Sequence, residues 1–271
     1  MSILFTGHRG FLGRELIPNL STNYKITTYD GDLCDFKKLK YFVEQNSVTK
    51  IIHAAARVGS RIKQDTVNDL IENLKIALNI SKLGIPVLSF CSGKIYGYQE
   101  SIDDVLEGDI GKKYPEDFYG QSKFLIHELF VNDNNIKFLR LFNAFGFQET
   151  SEKFIRSNLE RYLLKKPMII HQNIVFDFFY CQDILFLLNY WLLENNLPKE
   201  VNLVYREKLT LQEVCNLINE LDDHKVKIVI ENSMPGKNYY GDGSRLSSLN
   251  LPLKGLKNGL KEVHQKMVES L

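Results

Sequence analysis

The chain has 271 residues, 34 Lys and Arg against 33 Asp and Glu, a formal net charge of +1, 44% hydrophobic residues and 25% charged ones. That length can bury a sizeable core, and the balanced charge leaves no broad electrostatic footprint of the kind nucleic-acid binding needs. Recognition is therefore expected in a site, with no nucleic-acid partner. The four cysteines, Cys34, Cys91, Cys181 and Cys215, lack CxxC pairing and metal-ligand spacing, so no disulfide framework and no metal site are expected. A reducing, cytoplasmic setting fits. The N-terminal apolar run, Ile3 to Phe5, and every later one fall short of the ~20 residues of a membrane span, so no membrane partner is expected.

In chain order, Ile3-Leu4-Phe5 reads as a strand ending in a glycine turn, and Phe11, Leu12, Leu16, Ile17 and Leu20 have helical spacing. Strands follow at 26–29, 50–53, 86–91 and 137–142, alternating with helices at 36–45, 67–83 and 118–132. Such alternation predicts an α/β fold, a doubly wound parallel Rossmann sheet with helices on both faces. After about residue 150 it loosens: helices are expected at 152–165, 183–194 and 210–220, short strands near 168–170, 176–180, 201–204 and 226–230, and a final amphipathic helix carrying Leu253, Leu256, Leu260, Val263 and Met267. We expect residues 1–150 to form the dinucleotide-binding domain and 151–271 a small mixed α/β substrate cap, with some exchange of chain between them.

Gly7-His8-Arg9-Gly10-Phe11-Leu12-Gly13 places GxxGxxG after the first strand and at the start of a helix. There glycines permit a tight turn and close approach of a pyrophosphate to free helix N–H groups. Asp30, at the end of the second strand, would accept hydrogen bonds from an adenosine ribose and repel a 2′-phosphate, which favours NAD. Arg9 could pair with a 2′-phosphate, which favours NADP, or could be a solvent-exposed loop arginine. Both cofactors stay open.

Tyr119-Gly120-Gln121-Ser122-Lys123 sets a phenol and an ammonium four apart on one helix face. A tyrosine titrates near ~10, so acid–base work near pH 7 asks for a drop of about three units, or ~4 kcal/mol. One close cation supplies roughly one to three units, so Lys123 with an oxidised nicotinamide would supply most of it. Ser92 emerges at the C-terminal end of the strand at 86–91, where open parallel sheets bind ligands, and its hydroxyl can bond a substrate carbonyl while Tyr119 delivers the proton.

With Gly31-Asp32-Leu33-Cys34-Asp35, His53-Ala54-Ala55-Ala56, Asn73, Tyr96-Gly97, Arg140 to Gly146, Asp177 to Asp183 and Asn202-Leu203-Val204, these motifs form an ordered set over most of the chain. In that set the chain resembles the extended short-chain dehydrogenases/reductases of the nucleotide-sugar epimerase, dehydratase and reductase group. The resemblance implies that Asp32 and Leu33 contact adenine, that Ala54, Ala55 and Ala56 line the pyrophosphate and ribose, and that Asn73 supports the cofactor site. It implies Ser92, Tyr119 and Lys123 as the catalytic triad and Asn143 beside a sugar nucleotide. It also implies a homodimer formed through helices 65–83 and 118–132.

Dehydratases of the group carry an acidic pair after the hydroxyl residue, whereas this chain has Gly93 and Lys94. Lys94 could meet a substrate or be structural. His8-Arg9-Gly10 and the segment 54–59 are similar to GDP-fucose synthases, yet that family's epimerising cysteine and histidine are missing. The short cap is similar to that of CDP-paratose and CDP-abequose synthase-type reductases. The implied reaction is NAD(P)H-dependent reduction of a keto group on a nucleotide-linked 4-keto-6-deoxy sugar; the alternatives are an NAD-dependent 4-epimerase and a non-catalytic NADP-binding regulatory subunit. Where the group usually has a phosphate-binding arginine this chain has Phe176, so either Arg156, Arg161 or Arg206 takes the phosphates or the substrate is not a conventional sugar nucleotide; surface roles for the three arginines stay open.

Overall fold

The computed structural model describes residues 1–59, 64–194 and 196–270. The first half runs β1 (Ser2–Thr6), α1 (Phe11–Leu20), β2 (Lys25–Thr28), α2 (Phe36–Gln45), β3 (Val48–His53), α3 (Val67–Ser81), β4 (Val87–Ser92), β5 (Ile102–Val105), α4 (Phe118–Phe130) and β6 (Ile136–Leu141). The second half runs β7 (Ala144–Phe145), α5 (Phe154–Leu163), β8 (Met168–Gln172), β9 (Phe179–Tyr180), α6 (Cys181–Glu194), β10 (Glu200–Leu203), α7 (Leu211–Ile218), β11 (Ile228–Asn232), β12 (Tyr239–Gly241), α8 (Ser244–Ser248) and α9 (Gly255–Glu269).

The central sheet is parallel throughout, in the order β2-β1-β3-β4-β6-β10. Strands covered on both faces read as continuous apolar runs, and every residue of β1 and of β4 is buried. One face packs Leu39 and Val43 of α2, Ile76 and Ile80 of α3, and Ile126 and Phe130 of α4. The opposite face packs Leu16 and Leu20 of α1 with Leu187, Leu188 and Trp191 of α6. The chain order reverses between β1 and β3, which opens a crevice beyond the C-terminal strand ends.

A third core joins α5, β8, α7 and α9 through Ile155, Leu159, Met168, Val214, Val263 and Met267. β10 returns from this half of the chain to extend the main sheet beside β6. There Arg140 of β6, fully buried, is clamped by the Glu200 carboxylate of β10, by the Tyr96 phenol at 3.0 Å and by the Glu107 carbonyl at 3.3 Å.

Local chemistry sets the element ends. Thr66 and Asp69 form a capping box on α3, and Gly84, at φ +66°, turns the chain after it, so the helix ends at Ser81 where 83 was expected. Leu253 precedes α9 and packs on the α1/α6 side of the sheet. β5 and β12 were not expected: Ile102-Asp103-Asp104-Val105 is too polar to read as a strand and is held by parallel pairing with Tyr239–Gly241. α3 and α4, the helices through which the resemblance implies two copies pair, expose Val67, Ile71, Phe118, Leu125 and Leu129. No described helix is long and apolar enough to cross a membrane.

Candidate functional site

Two clefts meet at Ala54 and Ala56 along the crevice. The first, of 490 Å³, lies over the glycine loop and is lined by Gly7, Arg9, Gly10, Asp30, Asp32, Leu33 and the three alanines 54–56. The second, of 320 Å³, is lined by Phe11, Leu12, Ser92, Tyr119, Lys123 and Asn143 among others.

Backbone geometry explains the glycine loop. Gly7 has φ +78°, and a Cβ there would come within 2.7 Å of the Ala55 nitrogen, so only glycine lets β1 turn against the end of β3. At Gly13 a Cβ would meet the His8 backbone at 2.3 Å, so this glycine closes the turn from behind the cleft. Gly10 caps α1 without a side-chain hydrogen bond, which leaves first-turn N–H groups for an anion. These observations fit a dinucleotide pyrophosphate. At the far end Arg9 pairs with Asp30 at 2.5 Å, and His8 reaches the same carboxylate oxygen at 3.1 Å. The two groups from which opposite cofactor preferences were read thus hold each other.

Asn73 stands behind the wall. Its amide accepts from the Arg57 N–H at 2.7 Å, donates to the Arg57 carbonyl at 2.8 Å, and reaches Ser122 Oγ at 3.2 Å. It is a positioning residue in this geometry.

In the second cleft α4 presents Tyr119 and Lys123. Asp117 caps the helix by accepting from the Gly120 N–H, and Asp65 accepts from the Tyr119 N–H at 2.9 Å, so two carboxylates sit at the positive end of the helix dipole. Lys123 is 6% exposed, donates to the Phe90 carbonyl at 3.0 Å, and lies 5.5 Å from the centre of the Tyr119 ring. Ser92, also buried, accepts from the Lys94 N–H and lies beside the phenols of Tyr119 and Tyr239. Desolvation pushes the Tyr119 phenol up and, with Cys91 nearby, outweighs the hydrogen bond from Ser92 that lowers it. Desolvation also pulls the Lys123 ammonium down. The downward shift expected for Tyr119 therefore does not appear, and the phenol keeps its proton.

Other expected residues lie elsewhere. Lys94 pairs with Asp117 at 3.3 Å, and its ammonium lies 5.9 Å from the centre of the Tyr119 ring without lining the cleft. Arg156 is tied to Glu160 at 2.7 Å and to the Phe147 carbonyl at 2.9 Å, and Arg161 donates to the Pro167 carbonyl, so neither lines either cleft. Arg206 is exposed. Phe176 packs between Phe178 and Tyr239 at ring distances of 5.1 and 5.2 Å, next to Asp177, which Lys208 pairs and burial raises to about 6. The sequence reading missed Glu149, Thr150 and Lys153, which line the second cleft. Their one signal was position, just past the Gly146 turn.

The comparisons agree with this architecture. Residues 3–203 match the model of the NAD dependent epimerase/dehydratase family. A GDP-mannoheptose C4 reductase from Campylobacter jejuni with NADP bound is 17% identical, with 97% of each chain covered and a TM-score of 0.82. A GDP-L-fucose synthetase from Naegleria fowleri is 18% identical, covers 99% of this chain and 93% of its own, and has a TM-score of 0.81. A UDP-glucose 4-epimerase from Thermotoga maritima, solved with UDP-glucose, is 19% identical over 100% of this chain and 99% of its own, with a TM-score of 0.80. No curated protein matches the sequence. At such identities the solved structures establish the shared fold, and the family match over most of the length supplies the rest: this chain belongs to the NAD dependent epimerase/dehydratase family.

Proposed function

We propose that the protein is an NAD(P)H-dependent reductase of a keto group on a nucleotide-linked 4-keto-6-deoxy sugar. The observation that carries this reading is the convergence of Ser92, Tyr119 and Lys123 on one cleft, with the Tyr119 phenol held protonated. Ser92 would hydrogen-bond the carbonyl oxygen, and Tyr119 would give it a proton, leaving a hydroxyl product. Lys123 acts through its charge, stabilising the phenolate formed in that step until solvent reprotonates it. The reduced nicotinamide, when bound, supplies the hydride to the carbonyl carbon.

Gly7, Gly10, Asp30, Asp32, Leu33 and the alanines 54–56 would hold the cofactor's adenosine and pyrophosphate, and Phe11 and Leu12 its reactive end. NAD and NADP both fit the Arg9–Asp30 pair, depending on which partner faces the ribose. For the substrate, Asn143 remains a contact, and Lys153 at the rim of the cleft takes the phosphate role expected of Arg156 or Arg161. Gly93 and Lys94 after Ser92, where an acidic pair would serve dehydration, support reduction over dehydration.

The reading is tested by supplying purified protein with enzymatically generated nucleotide-4-keto-6-deoxysugars and NADH or NADPH. Stoichiometric loss of reduced cofactor absorbance is expected. Sugar inversion without net cofactor loss would replace the reductase with a 4-epimerase.

A further inference from the structure

Among the described residues that line the reaction-end cleft, Glu149 carries the one carboxyl group. It is 7% exposed, and its Oε2 is buried without a hydrogen-bond partner. A buried polar atom left unpaired is costly and calls for a reason. Every neighbouring element bears on it. α1 contributes Glu15, itself bonded to the Gln148 N–H and the Gln182 amide. α5 and its cap contribute Lys153, Arg156 and a backbone N–H of Arg156 that the Glu149 carboxylate accepts, while α6 contributes the buried Cys181 thiol. Tyr119 and Lys123 line the same cleft.

Two carboxyls and two nearby cations leave the charge of Glu149 finely balanced. Burial raises the carboxyl to about 8, against the pull of Lys153 and Arg156. A ligand that changes its own charge in this cleft would then decide the protonation state. Oxidised and reduced nicotinamide rings differ by one positive charge.

We propose that Glu149 sets the preference of the cleft between the two redox forms of the cofactor, as a carboxylate toward the oxidised, cationic ring and as a neutral acid toward the reduced one. The inference rests on the reading above that the nicotinamide end enters this cleft. A nearby cation favours the ionised carboxyl, and by reciprocity loss of the Glu149 proton favours the cation. Affinity for the oxidised form therefore rises with pH up to about 8 and beyond it levels off, while affinity for the reduced form stays nearly flat. On the acid side the cleft releases oxidised product more readily, which suits turnover in the reductive direction.

The test measures dissociation constants of NAD+, NADH, NADP+ and NADPH between pH 6 and 9, by calorimetry for the oxidised forms and fluorescence for the reduced ones. For the pair that binds, the preference for the oxidised form should rise roughly tenfold across that range in the unaltered protein and in Tyr119→Phe. It should be flat in Glu149→Gln, whose amide mimics the neutral acid. Glu15→Gln, which removes a neighbouring carboxylate, should move the midpoint to lower pH, and this arm stands even where Glu149→Gln fails to fold. A flat profile in the unaltered protein, or an unchanged slope in folded Glu149→Gln, overturns the proposal with cofactor binding intact. Failure of all four dinucleotides to bind overturns the underlying reading and this proposal with it.

Discussion

The two ends of the crevice are built on opposite principles. At the glycine-loop end, proposed above to hold the adenosine, the lining is largely backbone: a glycine turn, uncapped N–H groups and three small alanines, with the charged trio His8, Arg9 and Asp30 at the rim, where Arg9 is 77% exposed. At the reaction end several polar side chains are removed from water, with Ser92, Lys123 and Glu149 all under 9% exposed. Charges in water interact weakly and are screened, whereas desolvated groups shift their proton affinities and respond strongly to a neighbour's charge. The open end can therefore hold a ligand without altering it. The closed end is where protons can be moved.

The contrast breaks most visibly at Tyr119. Removing its hydroxyl in Tyr119→Phe should lower the turnover number by about 10²–10⁴-fold, the usual worth of a positioned acid. Cofactor dissociation constants should stay within a few-fold, because the adenosine end is untouched. Near-normal turnover in steady-state assays would remove Tyr119 from the chemistry.

Glu149 tests whether the closed end carries a cost. Its folded-state proton affinity lies above the ordinary carboxyl value near 4.5, so the folded protein binds that proton more tightly than the unfolded chain. Stability is then lost as pH rises from about 4.5 to about 8. Glu149→Gln should stabilise the cofactor-free protein by roughly 3–5 kcal/mol at pH 8–9 and by almost nothing near pH 4.5. Denaturant titrations at both pH values measure this, and equal gains at both would deny the buried charge.

The smallest effect belongs to the open end. Asp30→Ala frees Arg9 and removes a carboxylate that would repel a 2′-phosphate, so relative affinity for NADP over NAD should increase about tenfold, ~1.4 kcal/mol. A ratio unmoved in competition binding would show that the rim does not choose the cofactor.

The same contrast explains what could be read from sequence. Alternating apolar runs and GxxGxxG express backbone requirements that leave local, periodic traces, so the sheet, its helices and the glycine turn were legible. Tyr119 and Lys123 were legible too, because one helix turn joins them. Desolvation is not local. The upward push on Tyr119 comes from packing by several elements, and Glu149 gains its environment from α1, α5 and α6 together. Arg156 and Arg161 share the expected helix, yet Glu160 and the Phe147 and Pro167 carbonyls hold them away from the crevice. β5 and β12 form through pairing with each other, and Tyr239 of β12 also bridges Phe176, contacts distant in sequence that neither segment announces.

One side-chain amide gives the crevice a mechanical property. Asn73 grips the Arg57 backbone from both sides and touches Ser122, whose hydroxyl donates to the Tyr119 carbonyl at 2.7 Å. The loop beside the adenosine cleft and the first turn of the helix that bears the phenol are thus pinned to one strut. Neither can travel alone without breaking one of these bonds, so a displacement of the loop by an arriving ligand would be felt one helix away, at the residue that holds the proton.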